Sequence, residues 1–225
     1  MDQDARKRAA GIAAAALVKD GMVVGLGTGS TVHHTIVELG RRVKEGLHIR
    51  GIPTSDASAA LATDVGIPLT DLDRDPVVDL TIDGADEFDP QLRLIKGGGG
   101  ALTREKIVAR ASKRMVVVAD ASKQVDRLGS TFALPVEVIE LGRTPIQHLL
   151  EGLGAEVSLR MAADGAYRTD NGHPILDARF EHIEDPEGLE RTLCLYPGVV
   201  ECGLFLGLCD TVFLAGDDGV REVRV

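Results

Sequence analysis

Charged residues and glycines that could do chemistry are concentrated in residues 83–106, DGADEFDPQLRLIKGGGGALTREK. Asp83 and Asp86 follow an apolar run, and two carboxylates at the end of a buried strand are costly unless they bind something. Mg²⁺ is one conceivable ligand, but Lys96 already provides a positive charge in a further loop. We therefore interpret the segment as a site for a sugar, whose hydroxyl groups suit this mixture of charges.

The four glycines after Lys96 lead into a predicted helix whose first turn contains Glu105. Glycine amides can approach a ligand closely because no side chain intervenes. Of the carboxylates in this segment, Glu105 is the one that we choose as a catalytic base. The alternative is that Glu105 only stabilises a helix N-terminus, and these residues alone leave both interpretations open.

A second glycine-rich stretch, VVGLGTGST at residues 23–31, stands between a predicted strand and a helical pattern. Unpaired N–H groups and the helix dipole converge at such a point, so the loop predicts a phosphate site. It is not a dinucleotide fingerprint, because the last position of G-x-G-x-x-G is Ser30 or Val32, and no P-loop lysine follows. The hydroxyls of Thr28, Ser30 and Thr31 can donate to one phosphoryl group. The alternative is a tight turn with a helix cap.

Three further features have two interpretations each. His33 and His34 occupy consecutive helical positions, which point in different directions, so we expect packing or solvent contacts rather than a metal pair. Lys123 follows the predicted strand RMVVVAD and either reaches a ligand or is a solvated surface group. The stretch TSDAS at residues 54–58 either lines a sugar pocket or caps the next helix.

Composition narrows the class of protein. The 225 residues, 44% of them hydrophobic, suffice for one large domain or two small ones. A formal charge of −10 and 3% aromatic residues argue against a nucleic-acid partner. No apolar run reaches the roughly 18 residues that span a bilayer, and the start resembles a charged helix rather than a secretory leader, so we expect a cytoplasmic protein without a membrane partner.

The sequence contains three cysteines, Cys194, Cys202 and Cys209. We expect them to be reduced, mostly buried thiols that form neither a disulfide framework nor a zinc site.

Short apolar runs alternate with helical patterns in the first half of the chain, which predicts an α/β fold with a parallel, Rossmann-like sheet and helices on both faces. The predicted strands are residues 22–27, 47–53, 77–83 and 114–120. Each run ends in glycine, proline or a small polar or acidic residue. The loops described above are therefore expected at the carboxyl edge of the sheet.

Beyond residue 130 the order becomes strand, helix, strand, strand, helix, strand, which predicts a smaller ferredoxin-like α+β domain. We place this domain at residues 131–205 and assign residues 1–130 and 206–225 to the α/β catalytic domain. Near the end, a D-D-G turn at residues 217–219 predicts a hairpin that returns to the first sheet.

The motifs GLGTGST, DGADE, KGGGGALTREK and ADASK occur in this order, and TDNGHPILD and PGVVECGLF follow them. Together they closely resemble the ribose-5-phosphate isomerase family of type A over nearly the whole chain. The resemblance implies interconversion of ribose 5-phosphate and ribulose 5-phosphate in the non-oxidative pentose phosphate pathway, without a metal or organic cofactor. It also implies a homodimer or a dimer of dimers.

The resemblance assigns roles to individual positions. Glu105 matches the family's proton acceptor. Asp83, Asp86 and Lys96 match residues that surround the sugar and assist the chemistry. The other substrate contacts that it implies are Lys7, Thr28, Gly29, Ser30, Thr31, Gly97, Gly98, Gly99 and Lys123. Gly84 and Ala85 leave room between Asp83 and Asp86 for a ligand to approach, and we expect them to contact the substrate as well.

Two other classes of function deserve comparison. An amino-sugar phosphate deaminase or a CoA transferase can share a similar sheet, because fold alone does not decide function. The pair DGAD and KGGGGALTREK resembles only the isomerase. A non-catalytic sugar-phosphate sensor fused to a DNA-binding domain is the second class, and this sequence contains no basic helix-turn-helix to support it.

Overall fold

The structure, a computed structural model, describes residues 3–216 and 219–224. Its α-helices are α1 (Gln3–Ala15), α2 (Ser30–Lys44), α3 (Asp56–Val65), α4 (Leu102–Arg110), α5 (Arg143–Gly152) and α6 (Pro186–Cys194). Its strands are β1 (Val23–Leu26), β2 (Arg50–Pro53), β3 (Leu80–Asp83), β4 (Glu87–Phe88), β5 (Leu94–Ile95), β6 (Met115–Asp120), β7 (Leu134–Val138), β8 (Glu156–Leu159), β9 (Met161–Ala162), β10 (Gly165–Ala166), β11 (Ile175–Arg179), β12 (Val199–Cys202), β13 (Leu204–Phe205), β14 (Cys209–Gly216) and β15 (Gly219–Arg224).

The chain forms two compact units, each made of separate segments. Unit 1 comprises Met1–Ala85, Arg104–Lys123 and Gly207–Val225. Unit 2 comprises Asp86–Thr103 and Gln124–Leu206. The domain boundaries predicted from the sequence, which place the smaller domain at residues 131–205, remain a prediction.

Unit 1 contains a six-stranded sheet in the order β15-β14-β6-β3-β1-β2. The pairs from β14 to β2 are parallel, and only the edge strand β15 is antiparallel to its neighbour. The parallel sheet predicted from the alternating apolar runs is therefore confirmed. From β1 the chain continues to β2 on one side and then to β3 on the other. Loops after β1 and β3 thus lie at a topological switch point, where sheets of this kind bind ligands.

Both faces of this sheet are buried, as the uninterrupted apolar runs predict. On one face, Val24 and Leu26 of β1 pack with residues of α1, α2 and α3. On the other face, Val23 packs with Val108 of α4. This two-sided burial fixes β1, so the residue that follows Leu26 emerges at a defined point of the sheet edge.

The predicted second strand begins three residues too early. The sequence predicts this strand at residues 47–53, whereas β2 starts at Arg50. The reason is the end of α2, where Gly46 adopts φ 105° and the Leu47 N–H donates to the Arg42 carbonyl at 3.0 Å. Residues 47–49 follow that turn and lie outside the strand, although Leu47 and Ile49 are apolar.

Unit 2 contains a four-stranded sheet in the order β12-β7-β11-β8, antiparallel throughout, with α5 and α6 in its two crossovers. This is the ferredoxin-like arrangement predicted from the order of elements. Its buried core includes Val136 of β7, Leu176 of β11, Ile146 of α5 and Leu193 of α6.

One predicted strand of unit 2, VVECGLF, is divided in two at Gly203. The Gly203 N–H donates to the Pro135 carbonyl at 2.8 Å, and a Cβ at this glycine would lie 2.3 Å from the Lys96 carbonyl oxygen. The chain turns there, and β13 joins β5 and β4 in a three-stranded sheet that the sequence did not reveal. This small sheet places Lys96 directly after β5.

The predicted hairpin near the end is present as β14 and β15, paired antiparallel from Thr211 and Arg224 to Gly216 and Gly219. It returns to the first sheet through β6, as expected. The turn residues Asp217 and Asp218 lie outside the described residues. Across residues 3–216 and 219–224, none of the helices has both the length and the apolar character needed to cross a membrane.

Candidate active site

The first loop, residues 27–31, joins the end of β1 to the start of α2. Gly29 precedes the helix with φ 127°, a backbone conformation that favours glycine, and it has no side chain with which to cap α2. The N–H groups of Ser30, Thr31 and Val32 at the start of α2 are therefore available to an anion, as the strand-glycine-helix pattern predicts, whereas that of His33 donates to the Gly29 carbonyl at 3.0 Å.

Asp83, the last residue of β3, holds this loop from the neighbouring strand. Its Oδ1 accepts the Thr28 N–H at 3.1 Å and the Gly84 N–H at 2.7 Å. The side chain of Asp83 is fully buried. Gly27 is the residue that permits this contact, because a Cβ there would lie 2.3 Å from Asp83 Oδ1.

The Thr28 hydroxyl contacts the protein rather than open space. Its Oγ1 lies 2.8 Å from Thr54 Oγ1, 2.8 Å from Ser55 Oγ and 3.2 Å from Ser58 Oγ. Ser58 in turn donates to the Gly27 carbonyl at 2.6 Å. The stretch TSDAS therefore anchors the first loop, while Ser55 also caps α3 by accepting the Ser58 N–H. Of the three hydroxyls expected at the phosphate, that of Thr28 is engaged in this buried cluster.

Positive charge lies beside the start of α2. Lys7 of α1 donates through Nζ to Ser30 Oγ at 2.9 Å. Lys123 ends a short 3₁₀ turn that follows β6. Burial raises the pKa of Asp120, but hydrogen bonds from Ser122 and the charges of Lys123 and Lys7 outweigh burial, and the net pKa is lowered. Lys7 and Lys123 therefore both act on Asp120 at the carboxyl end of β6.

An open cavity of about 760 Å³ lies beside the first loop. His33 and His34 line this cavity together with Thr28, Gly29 and Ser30. The ring centroids of His33 and His34 are 5.6 Å apart in an edge-to-face arrangement, and His34 Nε2 lies 3.2 Å from Asp4 Oδ1. This places them in packing and surface contacts, as expected for consecutive helical positions.

Glu105 stands in the first turn of α4, as the sequence predicts, and is only 3% exposed. Its neighbour Arg104 is directed to the surface, where Nη1 lies 2.7 Å from Asp56 Oδ1. Ionised carboxylates are rarely buried to this extent without a role. The burial of Glu105 therefore exceeds what a surface helix N-terminus requires.

In unit 2, the glycine loop (residues 97–100) follows Lys96. Asp86 Oδ2 accepts the Gly98 N–H at 2.7 Å, and Gly98 leaves no room for a side chain because a Cβ would lie 2.6 Å from Asp86 Oδ1. Lys96 is 2% exposed, and its Nζ lies 5.5 Å from the centre of the Phe205 ring, within cation–π range. The structure thus brings Asp86 and the glycine amides together, with Lys96 at the entry to the loop.

The structure divides the predicted site residues between the two units. Unit 1 carries Lys7, Thr28, Gly29, Ser30, Thr31, Asp83, Gly84, Ala85, Glu105 and Lys123. Unit 2 carries Asp86, Lys96, Gly97, Gly98 and Gly99.

Sequence reasoning missed three residues around the glycine loop. Arg160 donates to the Gly97 and Gly98 carbonyls, and Tyr167 donates to the Gly99 carbonyl. Glu137 is fully buried, and one of its donors is the Thr103 hydroxyl at 2.5 Å, near the start of α4. Its other donors come from the motif TDNGH, at Thr169, Asn171 and His173. The motif TDNGH enters the sequence analysis only through the resemblance. The signal that could have found Glu137 is a glutamate inside the apolar stretch LPVEV, which forms β7.

Of the three cysteines, only Cys202 is buried. The expectation of mostly buried thiols is therefore wrong for the exposed Cys194 and the partly buried Cys209. The side chains of Cys194, Glu201 and Cys202 offer ligand atoms within 4.8 Å of one another. Glu201 Oε1 accepts the Cys202 N–H at 2.8 Å and lies 3.8 Å from Cys194 Sγ. The expected absence of a zinc site remains a prediction.

Comparisons with known proteins point to one family. The family described as ribose 5-phosphate isomerase A (phosphoriboisomerase A) matches residues 50–219. A protein of Sinorhizobium fredii named ribose-5-phosphate isomerase A is 50% identical over 99% of this chain and 99% of its own length. One from Chloroflexus aurantiacus is 49% identical over 98% of this chain and 93% of its own length.

Solved structures agree. The ribose 5-phosphate isomerase A of Methanocaldococcus jannaschii superposes with a TM-score of 0.95 and 42% identity, and each chain is covered completely. A D-ribose-5-phosphate isomerase in complex with phospho-erythronic acid superposes with a TM-score of 0.98 and 39% identity, again over both complete chains. The α/β fold and the resemblance of the motifs are thereby confirmed. The chain belongs to the ribose 5-phosphate isomerase A family.

Proposed function

We propose that this chain is an aldose-ketose isomerase that interconverts D-ribose 5-phosphate and D-ribulose 5-phosphate, a reaction of the non-oxidative pentose phosphate pathway. The observation that carries the proposal is 50% identity to a ribose-5-phosphate isomerase A over 99% of both chains. A similar isomerase binds phospho-erythronic acid. The carboxylate of that compound carries two oxygens on one planar carbon, and it therefore resembles the enediolate expected in this reaction.

The isomerisation requires one base and a stabilised oxyanion. A base removes the proton from C2 of the open-chain aldose and returns a proton to C1, while a second proton moves from O2 to O1. Negative charge develops on these oxygens in the enediolate between the two steps. Because the carbons are adjacent, one carboxylate can serve both of them.

We assign the proton transfer to Glu105. Its place in the first turn of α4 and its burial support this role, since a base shielded from water keeps the proton that it has collected. Lys96 and the glycine-loop amides are assigned to the oxyanion. Asp83 or Asp86 orients the sugar hydroxyls and assists ring opening.

The phosphate is assigned to the first loop, where the start of α2, the Ser30 hydroxyl and Lys7 converge. Lys123 is assigned to the same end of the substrate. The phosphate does not react, so its binding energy serves to position the sugar carbons. The further substrate contacts proposed are Thr28, Gly29, Thr31, Gly84, Ala85, Gly97, Gly98 and Gly99.

This scheme uses no metal ion and no organic cofactor. A homodimer or a dimer of dimers, and a cytoplasmic location, are proposed alongside it from the same resemblance.

The test is conversion of ribose 5-phosphate to ribulose 5-phosphate by the purified chain, with and without EDTA. We expect turnover that EDTA does not change. Binding of ribose 5-phosphate without turnover would indicate a sensor. Release of ammonia from an amino-sugar phosphate, without pentose isomerisation, would indicate a deaminase. Activity that disappears with EDTA and returns with Mg²⁺ would contradict the cofactor-free mechanism.

A further inference from the structure

The side chains of Arg160 and Tyr167 hold three consecutive carbonyl groups of the glycine loop. Arg160 Nη1 donates to the Gly97 oxygen at 2.7 Å and to the Gly98 oxygen at 3.1 Å. The Tyr167 hydroxyl donates to the Gly99 oxygen at 3.2 Å. Glycine has no side chain that could fix this backbone, so these two residues determine which way its peptide groups face.

Because each peptide group is planar, a hydrogen bond that fixes a carbonyl group also fixes the direction of the N–H in the same peptide. In a trans peptide the N–H of the next residue points away from the carbonyl oxygen. The N–H groups of Gly98, Gly99 and Gly100 therefore face away from the donors that hold the loop. Gly98 donates to Asp86 Oδ2 at 2.7 Å, and Gly100 donates to the Gly97 oxygen at 2.9 Å. The Gly99 N–H has no acceptor among the described residues, and it is the donor that the turn presents outward.

The two gripping side chains are themselves fixed. Arg160 forms a bidentate ion pair with Asp177 of β11, with Nε–Oδ2 at 2.9 Å and Nη2–Oδ1 at 2.5 Å. Its guanidinium carbon lies 5.8 Å from the centre of the Tyr167 ring, and the Tyr167 N–H donates to the Arg160 carbonyl at 2.9 Å. Burial, followed by the charge of Asp170, raises the pKa of Tyr167, so its hydroxyl keeps the proton that it donates.

We propose that Arg160 and Tyr167 are positioning residues that orient the Gly99 N–H toward the oxyanion of the enediolate. This inference rests on the proposed isomerase function. An amide that is fixed before the reaction stabilises developing charge without reorganisation. The charge of Arg160 on the Gly98 carbonyl also polarises that peptide group, which strengthens its N–H as a donor.

The deciding variant is Tyr167→Phe, because it removes one oxygen atom and leaves the ring beside Arg160. We expect kcat to fall about fivefold to tenfold with KM nearly unchanged, a fraction of the roughly 10²-fold loss that follows removal of a whole oxyanion donor. Arg160→Lys keeps the charge but loses the forked geometry, and we expect a fall of at least the same size.

A second readout separates positioning from general support of the fold. The affinity for phospho-erythronic acid should fall in parallel with kcat/KM, whereas the affinity for inorganic phosphate should not change. Arg179→Met is the control, because Arg179 also donates to a backbone carbonyl, that of Ser130 at 3.3 Å, but away from the glycine loop. We expect wild-type kinetics from it.

Unchanged kcat in Tyr167→Phe and Arg160→Lys, with an active wild type, would overturn the inference and leave the isomerase function intact. A raised KM at unchanged kcat would overturn it equally, because it would show a role in substrate binding alone. An inactive wild type would instead refute the proposed function.

Discussion

The first loop and the glycine loop both use glycine to bring backbone amides to a ligand, but different parts of the protein fix them. In the first loop, α2 orients the backbone amides, and a buried cluster of serine and threonine hydroxyls around Thr28 holds the backbone in place. In the glycine loop no helix axis orients the peptides of residues 97–100. Arg160 and Tyr167, from a distant part of the sequence, hold the carbonyls instead.

The difference matches the two tasks that we propose. A phosphate dianion is large and symmetric, so a helix N-terminus with several parallel N–H groups suits it. A developing oxyanion needs one donor at one place, so a loop that can be oriented peptide by peptide suits it better. We therefore expect substitutions near the first loop mainly to raise KM, and substitutions near the glycine loop and α4 mainly to lower kcat.

The largest effect is expected from Glu105→Gln. It keeps the size of the side chain but cannot collect a proton, so kcat should fall about 10²-fold or more while KM changes little. Steady-state assays with ribose 5-phosphate measure both constants. Glu181→Gln, at an exposed glutamate, is the matched control. A folded Glu105→Gln enzyme with normal turnover would show that α4 does not carry the chemistry.

Gly27→Ala tests how the first loop is held. Its Cβ would lie 2.3 Å from the buried Asp83 Oδ1, so either the loop or the end of β3 must move. We expect the free energy of unfolding in urea to fall by about 1–3 kcal/mol, as for other overpacked sites. Gly152→Ala, with open space around its Cβ position, is the control. Equal stability of the Gly27 variant and the wild type would mean that the loop adapts easily.

Ser30→Ala tests the division between KM and kcat. It removes the hydroxyl that contacts Lys7. A hydrogen bond to a charged group is worth about 1.5–3 kcal/mol, so KM for ribose 5-phosphate should rise about tenfold or more at nearly constant kcat. Ser130→Ala, at an exposed serine of unit 2, should leave both constants unchanged. A fall in kcat alone would reverse the roles assigned to the two loops.

The smallest effect is expected from Asp120→Asn, measured as the pH dependence of unfolding. The folded-state pKa of Asp120 is lowered, so its ionised form stabilises the folded protein above about pH 4, and this contribution is lost as the pH falls through the folded-state pKa. The variant should therefore lose less stability than the wild type on acidification below about pH 4. Asp64→Asn, at an exposed aspartate of α3, is the control. Identical acid profiles for wild type and the Asp120 variant would contradict the assignment.

The first loop was predictable from the sequence because its determinants are local. A buried strand, alternating glycines and a helical pattern lie within residues 23–44, and the geometry follows from their order. The switch between β1 and β3 also followed, in outline, from the alternation of strands and helices. What the sequence left open was the direction of the Thr28 hydroxyl, because Thr54 and Ser58 reach it only through tertiary packing.

The glycine loop was predictable only as a flexible, ligand-facing stretch. Its orientation depends on Arg160, which is more than sixty residues away in the sequence, and on an ion pair with Asp177 that no local pattern indicates. The break at Gly203 was missed for a similar reason, since VVECGLF has the composition of one continuous strand. The Pro135 and Lys96 backbone groups that require a glycine there come from other segments.

The position of β14 has a consequence for how the protein is made. This strand lies beside β6 in the sheet, yet unit 2 separates the two along the chain. During synthesis, the edge of β6 that pairs with β14 stays unpaired until residues 209–216 have left the ribosome. An unpaired edge of an apolar strand can pair with strands of other chains. Val116 and Val118 are buried in the core of the folded protein. While synthesis is still under way, we expect them to lie in a segment that is prone to aggregation.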